Sequence, residues 1–204
     1  MRTLLQTLDL FDGSRIRVFQ DEVAEDPRTA WTNLGHMVCW HSKYNIGDKH
    51  GWRYIADFQE WADDYGTDNL VLLPVYMYDH GSCALSTSNV WPFNDRWDAR
   101  QVGWIYVTHE EIEKEFGTFH KDLEKVKKIL RAEVSLQSAW INGNVVGYHL
   151  EGPPEKCGAC GNVSRRQPDE TLWGFYITGK KDSGLLESLP EEYQAEAKTG
   201  LRFL

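Results

Sequence analysis

Residues 14–20, SRIRVFQ, alternate polar and apolar side chains, the period of a strand with one buried face. The Asp12-Gly13 pair before them is a turn signal. Apolar runs at 35–40 (GHMVCW), 70–78 (LVLLPVYMY), 102–107 (VGWIYV), 145–150 (VVGYHL) and 172–178 (LWGFYIT) predict further strands. The run at 70–78 suits a strand buried on both faces, although Pro74 has no N–H to give to a ladder. Other stretches carry the helical period. At 54–65, Tyr54, Phe58, Trp61 and Tyr65 share one stripe, Asp57, Glu60 and Asp64 share the other, and Gly66 is the stop. Thr108 and Glu111 make a capping box for a helix that Gly117 closes. At about 120–141, Leu123, Val126, Leu130, Val134, Gln137 and Ile141 form an inward stripe that ends at Asn142-Gly143-Asn144. A short helix is expected around 186–198. Segments 21–33, 41–52 and 83–98 read as loops, the last with a short hairpin as an alternative. Strands and helices mix without strict alternation. The expected class is therefore α+β, a mixed or antiparallel sheet with about three to four helices, in a single domain over 1–204 with a Cys-containing loop at about 151–171.

A chain of 204 residues can bury a full core without disulfides or a metal. Twenty-two Lys and Arg against 31 Asp and Glu leave a net charge of −9, the wrong sign for general nucleic-acid binding. No apolar run reaches the ~20 residues that span a bilayer. Asp9 and Asp12 interrupt the first apolar stretch, so no secretory h-region forms and a cytoplasmic location is expected. Four Cys in such a chain read as thiols or a metal site before disulfides. Nine Trp, nine Tyr and eight Phe make 13% of the chain, which predicts an aromatic-rich core, with a ring-lined groove as the alternative.

Several clusters carry candidate chemistry. His41, Tyr44, Asp48 and His50 put two imidazoles, a phenol and a carboxylate within ten residues. A carboxylate fixes the tautomer of a neighbouring imidazole, the pairing a general base needs. A loop stapled by its own hydrogen bonds is the plainer alternative. Asp79 and His80 end the predicted strand at 70–78, where a scaffold leaves side chains accessible, and they can act together only if the chain turns at Gly81. The stretch 91–104, WPFNDRWDARQVGW, sets Asp95, Asp98, Arg100 and Gln101 among Trp91 and Trp97, a mixture that suits a binding groove or a surface loop pinned by its rings. The acidic stripe of Asp57, Glu60 and Asp64 reads as a solvated face or as a mimic of a phosphate row. Cys157 and Cys160 form a C-x2-C pair, half of a zinc motif, for which His149, Cys39 or Cys83 could supply more ligands. No P-loop, G-x-G-x-x-G, H-E-x-x-H or G-x-S-x-G pattern is present, so those NTPase, dinucleotide, zincin and serine-hydrolase signatures are missing. The two histidine-bearing stretches and the Trp–Asp loop are expected to meet and form one recognition surface.

Four stretches in order, LGHMVCWHSKYNIGDKH at 34–50, LPVYMYDHGS at 73–82, WDARQVGWIYV at 97–107 and LWGFYITG at 172–179, resemble a family of uncharacterised proteins of tailed phages, prophages and plasmids. Where that family reads Asp-Ser-Gly after the Trp, this chain has Asp98-Ala99-Arg100, and Thr171-Leu172 stands where relatives tend toward Ser-Cys. The resemblance implies a mobile-element accessory protein in a bacterial host, a counter-defence or host-modulating inhibitor that binds a restriction or CRISPR-type effector. The alternative is a small-nucleotide-binding or nucleotide-degrading protein with a His/Asp/Tyr pocket. The first needs a host protein partner, the second a small nucleotide, and zinc is the one cofactor for which the residues offer a partial site. Whether the chain is an enzyme stays open.

Overall fold

The computed structural model describes residues 2–88, 98–117, 122–165, 170–179 and 184–202. In chain order, β1 (Leu4–Asp9), β2 (Arg15–Gln20), α1 (Pro27–Ala30), β3 (His36–Cys39) and α2 (Ile55–Tyr65) precede a 3-10 turn at Thr67–Asn69. Next come β4 (Leu70–Asp79), β5 (Cys83–Ser86), β6 (Ala99–Thr108), α3 (His109–Phe116) and α4 (Leu123–Ile141). The chain continues through β7 (Val145–Glu151), β8 (Glu155–Lys156), β9 (Val163–Ser164), β10 (Glu170–Tyr176), α5 (Leu185–Ser188) and α6 (Glu191–Gly200). Every strand pair described is antiparallel. The class is α+β, as the mixed periodicities imply. The three to four helices expected correspond to α2, α3, α4 and α6, each of eight residues or more, while α1 and α5 are single turns. The chain divides into two compact units, Asp26–Asn142 and the combination of Met1–Glu25 with Gly143–Leu204.

In the unit Asp26–Asn142, the sheet runs β3-β6-β4-β5. Alternation along each strand sends side chains to opposite faces. Met37, Val71, Leu73, Val75, Met77, Ile105 and Val107 face α4, where Val126, Leu130 and Val134 meet them. Val38, Leu70, Leu72, Trp104 and Tyr106 face Phe58 and Ala62 of α2, with Trp40, Trp52 and Trp61 packed around them. Phe58, 1% exposed, lies within 6.1 Å, centroid to centroid, of five other rings. Much of the aromatic content thus builds a second core layer. Pro74 is accommodated because β5 pairs only with Tyr76–Asp79, leaving the edge beside Pro74 without a paired strand among the described residues. β6 bulges opposite Val75 and Tyr76, and a Cβ on Gly103 would lie 1.9 Å from the Val38 carbonyl oxygen, so only glycine admits this approach of β3 to β6.

The capping box of α3 forms as read, with Thr108 Oγ1 accepting the Glu111 N–H at 3.1 Å. The inward stripe of α4 differs at its start. Leu123 is 37% exposed, and Glu133 and Ala139 take buried positions. A charged residue faces inward there because it meets a partner, described below.

In the other unit, the sheet runs β1-β2-β7-β10, and Ile16, Val18, Val146, Tyr148 and Leu150 pack against Leu185, Leu189, Ala197 and Leu201. The single tail helix expected at 186–198 is instead α5 and α6, interrupted at Leu189-Pro190, where proline removes an N–H from the helical ladder. No described helix is long and apolar enough to cross a membrane.

Candidate functional site

The candidate site lies in the unit Asp26–Asn142, at one end of its sheet. There β3 runs out into Trp40–Tyr44, β4 ends at Asp79, β5 begins at Cys83 and β6 begins at Ala99. The antiparallel register brings these ends together: Cys39 pairs with Gly103, the Trp40 N–H donates to the Val102 carbonyl at 2.8 Å, and Tyr78 pairs with Ala99. The Asp79 N–H donates to the Asp98 carbonyl at 2.9 Å. The chain does turn at Gly81, whose φ of +73° lies in the left-handed region.

Side chains from all these ends converge. His80 Nδ1 lies 2.8 Å from Asp98 Oδ2, which orients the imidazole. Cys83 Sγ donates to Asp79 Oδ1 at 3.7 Å. Cys83 and Asp79 beside the Tyr44 phenol push its pKa up. The rings of His41 and Tyr44 stack at 5.1 Å with a 19° interplanar angle. Arg100 Nη2 lies 2.6 Å from His41 Nε2. Burial, then the Arg100 guanidinium, holds the His41 pKa below its ordinary value, so the ring is neutral at pH 7.

Guanidinium is a donor only, so at 2.6 Å Arg100 Nη2 donates to His41 Nε2, and the turn holds the same ring with Nδ1 3.3 Å and 3.2 Å from the Lys43 and Tyr44 backbone nitrogens.

Of the stretches expected to form one recognition surface, His41, Tyr44, Asp79, His80 and Asp98 lie at these strand ends, while most of the Trp–Asp loop falls outside the described residues. Trp91, Asp95 and Trp97 lie outside the described residues. Gln101 does not join the cluster, since its Nε2 donates to the Gly103 carbonyl at 3.2 Å and braces the bulge. Asp48 and His50 are also elsewhere. His50 Nε2 is 3.1 Å from the Cys39 carbonyl, and its ring packs on Trp40 and Trp52. Asp48 accepts two hydrogen bonds from Arg28, at 2.9 and 2.6 Å, and one from the Met37 N–H at 2.7 Å. Arg28 also donates to Glu133 Oε2 at 2.8 Å, and Glu133 Oε1 accepts the Leu34 N–H at 2.7 Å. This Arg28–Asp48–Glu133 network, buried at Arg28 and Glu133 and half-buried at Asp48, ties α1, the start of β3, the loop after it and α4, and explains the inward Glu133. It is structural, and Asp48 belongs to it.

On α2, Asp57, Glu60 and Asp64 are exposed, and Asp57 also accepts the Tyr54 N–H at 2.9 Å. Cys157 and Cys160 are exposed free thiols, and Cys39 and Cys83 are buried ones. His149 lies on β7 against Phe19 at 4.6 Å and Trp173 at 5.7 Å. Among the described residues, no group of three or more His, Cys, Asp or Glu could hold a metal ion. Sequence reasoning placed Arg100 among the polar groups of the 91–104 stretch but not against His41, and its position two residues beyond Asp98 on a strand that ends at the site was the available signal.

No family model, curated protein or solved structure matches this chain.

Proposed function

We propose that this chain binds a small anionic ligand of the nucleotide class at the end of the β3-β6-β4-β5 sheet. The observation that carries the reading is the exposed Arg100 guanidinium, held at the strand end by its 2.6 Å hydrogen bond to His41 Nε2, a positioned cation that suits a phosphate oxygen. Tyr44, 39% exposed and stacked on His41, supplies a ring face on which a base can stack. The His80–Asp98 pair adds an oriented imidazole, the group a hydrolytic step would use to take a proton from water. A panel of nucleoside monophosphates, diphosphates and cyclic dinucleotides, titrated calorimetrically, tests it. At least one should bind in the micromolar range, and Arg100→Ala should weaken it by tenfold or more. Failure of every panel member, or equal binding by Arg100→Ala, overturns the reading.

A second reading is an inhibitor that binds a host protein in the mobile-element setting the resemblance implies. It is supported by the exposed acidic residues Asp57, Glu60 and Asp64 on α2, a helix with no basic residue in its last turn. Affinity capture from a host lysate should then recover a partner whose yield falls with salt and with charge reversal at all three positions. Unchanged capture after that reversal removes the acidic-face version.

A further inference from the structure

The strands β8 and β9 form a hairpin whose tip is Cys157-Gly158-Ala159-Cys160-Gly161. Cys157 donates its N–H to the Asn162 carbonyl at 2.8 Å, and its own carbonyl accepts the Gly161 N–H at 2.9 Å. Gly161 has φ +72°, the left-handed conformation that reverses the chain directly after Cys160. The base of the hairpin is pinned by Arg165, whose Nη1 donates to the Gly13 carbonyl at 2.8 Å and the Gly152 carbonyl at 2.6 Å. The tip is exposed, and a Cβ at Gly158 would meet nothing within 4 Å.

Two adjacent sulfurs on a tight, pinned turn are half of a tetrahedral soft-metal shell. The other half is not supplied nearby, because no described group of three or more ligating residues exists. An identical exposed pair on a second copy supplies it by two-fold symmetry, in which the same patch faces itself.

We propose that the hairpin tip binds a soft divalent cation of the zinc class through Cys157 and Cys160, and that the same two residues of a second copy complete a four-sulfur shell. On binding, each sulfur enters as thiolate and any thiol proton passes to the buffer, so the step involves no oxidation. The metal is then a clasp between two chains, separate from the ligand site at His41 and Arg100.

The full chain, kept reduced with a non-chelating phosphine, is titrated with Zn²⁺ and followed by native mass spectrometry, with Co²⁺ substitution read by absorption. One metal per two chains, conversion of monomer to dimer, and the intense bands of tetrahedral thiolate-bound Co²⁺ are expected. Cys157→Ser and Cys160→Ser should each abolish all three. Both side chains are exposed, so these variants should keep the wild-type circular dichroism. If either does not, reversal of the wild-type dimer by a chelator carries the test. One metal on a monomer, no uptake at tenfold excess, or uptake unchanged in the double serine variant overturns the proposal.

Discussion

Arg100 Nη2 donates a hydrogen bond to His41 Nε2 at 2.6 Å across 59 residues of sequence, joining two different strand ends. Because burial and the guanidinium keep His41 neutral near pH 7, the pair offers an anion one full positive charge, that of Arg100. As pH falls through the lowered His41 value, below the ordinary ~6.5, His41 takes a proton and the site gains a second charge. Affinity for a phosphate-bearing ligand should therefore rise on acidification through His41's own lowered pKa and stay flat above it. Calorimetric titration at stepped pH checks this, and the slope should vanish in His41→Ala.

The same shift has a sign for folding. His41 is less easily protonated folded than unfolded, so its contribution to stability is fully present above ~6.5. It is lost as pH falls toward the folded value. The midpoint of urea unfolding, compared between wild type and His41→Gln, should converge on acidification.

Arg28→Met leaves the buried Glu133 and the half-buried Asp48 without their shared cation. Removing one member of a buried ion pair costs about 3–5 kcal/mol. Urea unfolding should show a loss of that order. An unchanged midpoint would mean that the network contributes nothing to the fold.

Gly103→Ala drives a methyl group against the Val38 carbonyl oxygen, only 1.9 Å from an ideal Cβ. Backbone cannot yield there without parting β3 from β6, so the loss should reach at least the ~1–3 kcal/mol of an overpacked core. Trp40 leads from β3 into the turn that holds His41. The variant should therefore weaken ligand binding as well as stability, read by titration at a temperature where it remains folded.

Glu111 caps α3 and lies 2.6 Å from His36 Nε2. Burial alone would raise its pKa, but the Thr108 N–H, His36 and the Thr108 hydroxyl together hold it below the ordinary carboxylate value. Its contribution is present above pH ~4.5 and is lost as pH falls through the lowered folded value. Thermal melts at pH 3 to 6 should show a steeper acid loss for wild type than for Glu111→Gln.

Local physics made most of the fold legible. The strands at 15–20, 36–39, 70–79 and 145–151 and the helices at 55–65, 109–116 and 123–141 lie within a few residues of their expected places, because a period or a cap marks each one. β1 was silent because its residues are exposed or half-buried throughout, so no buried face imposes an alternation. α1 is a single turn, too short to show a period. At the site, His41, Tyr44, Asp79, His80 and Asp98 were legible as polar groups at strand ends. Asp48 was misplaced because its partners, Arg28 and Glu133, are brought together only by the tertiary fold, Arg28 and Glu133 being 105 residues apart. Arg100 takes its role from register, which pairs β6 with β3 and so carries it to His41.

The central claim is that an anion is bound at the Arg100 guanidinium beside His41. The most direct measurement is the ¹⁵N chemical shift of His41 Nε2 during titration with inorganic phosphate at pH 7. A saturable change at that nitrogen, absent in Arg100→Ala, is the expected result. A resonance that stays fixed up to high phosphate, or that moves equally in the variant, would contradict it.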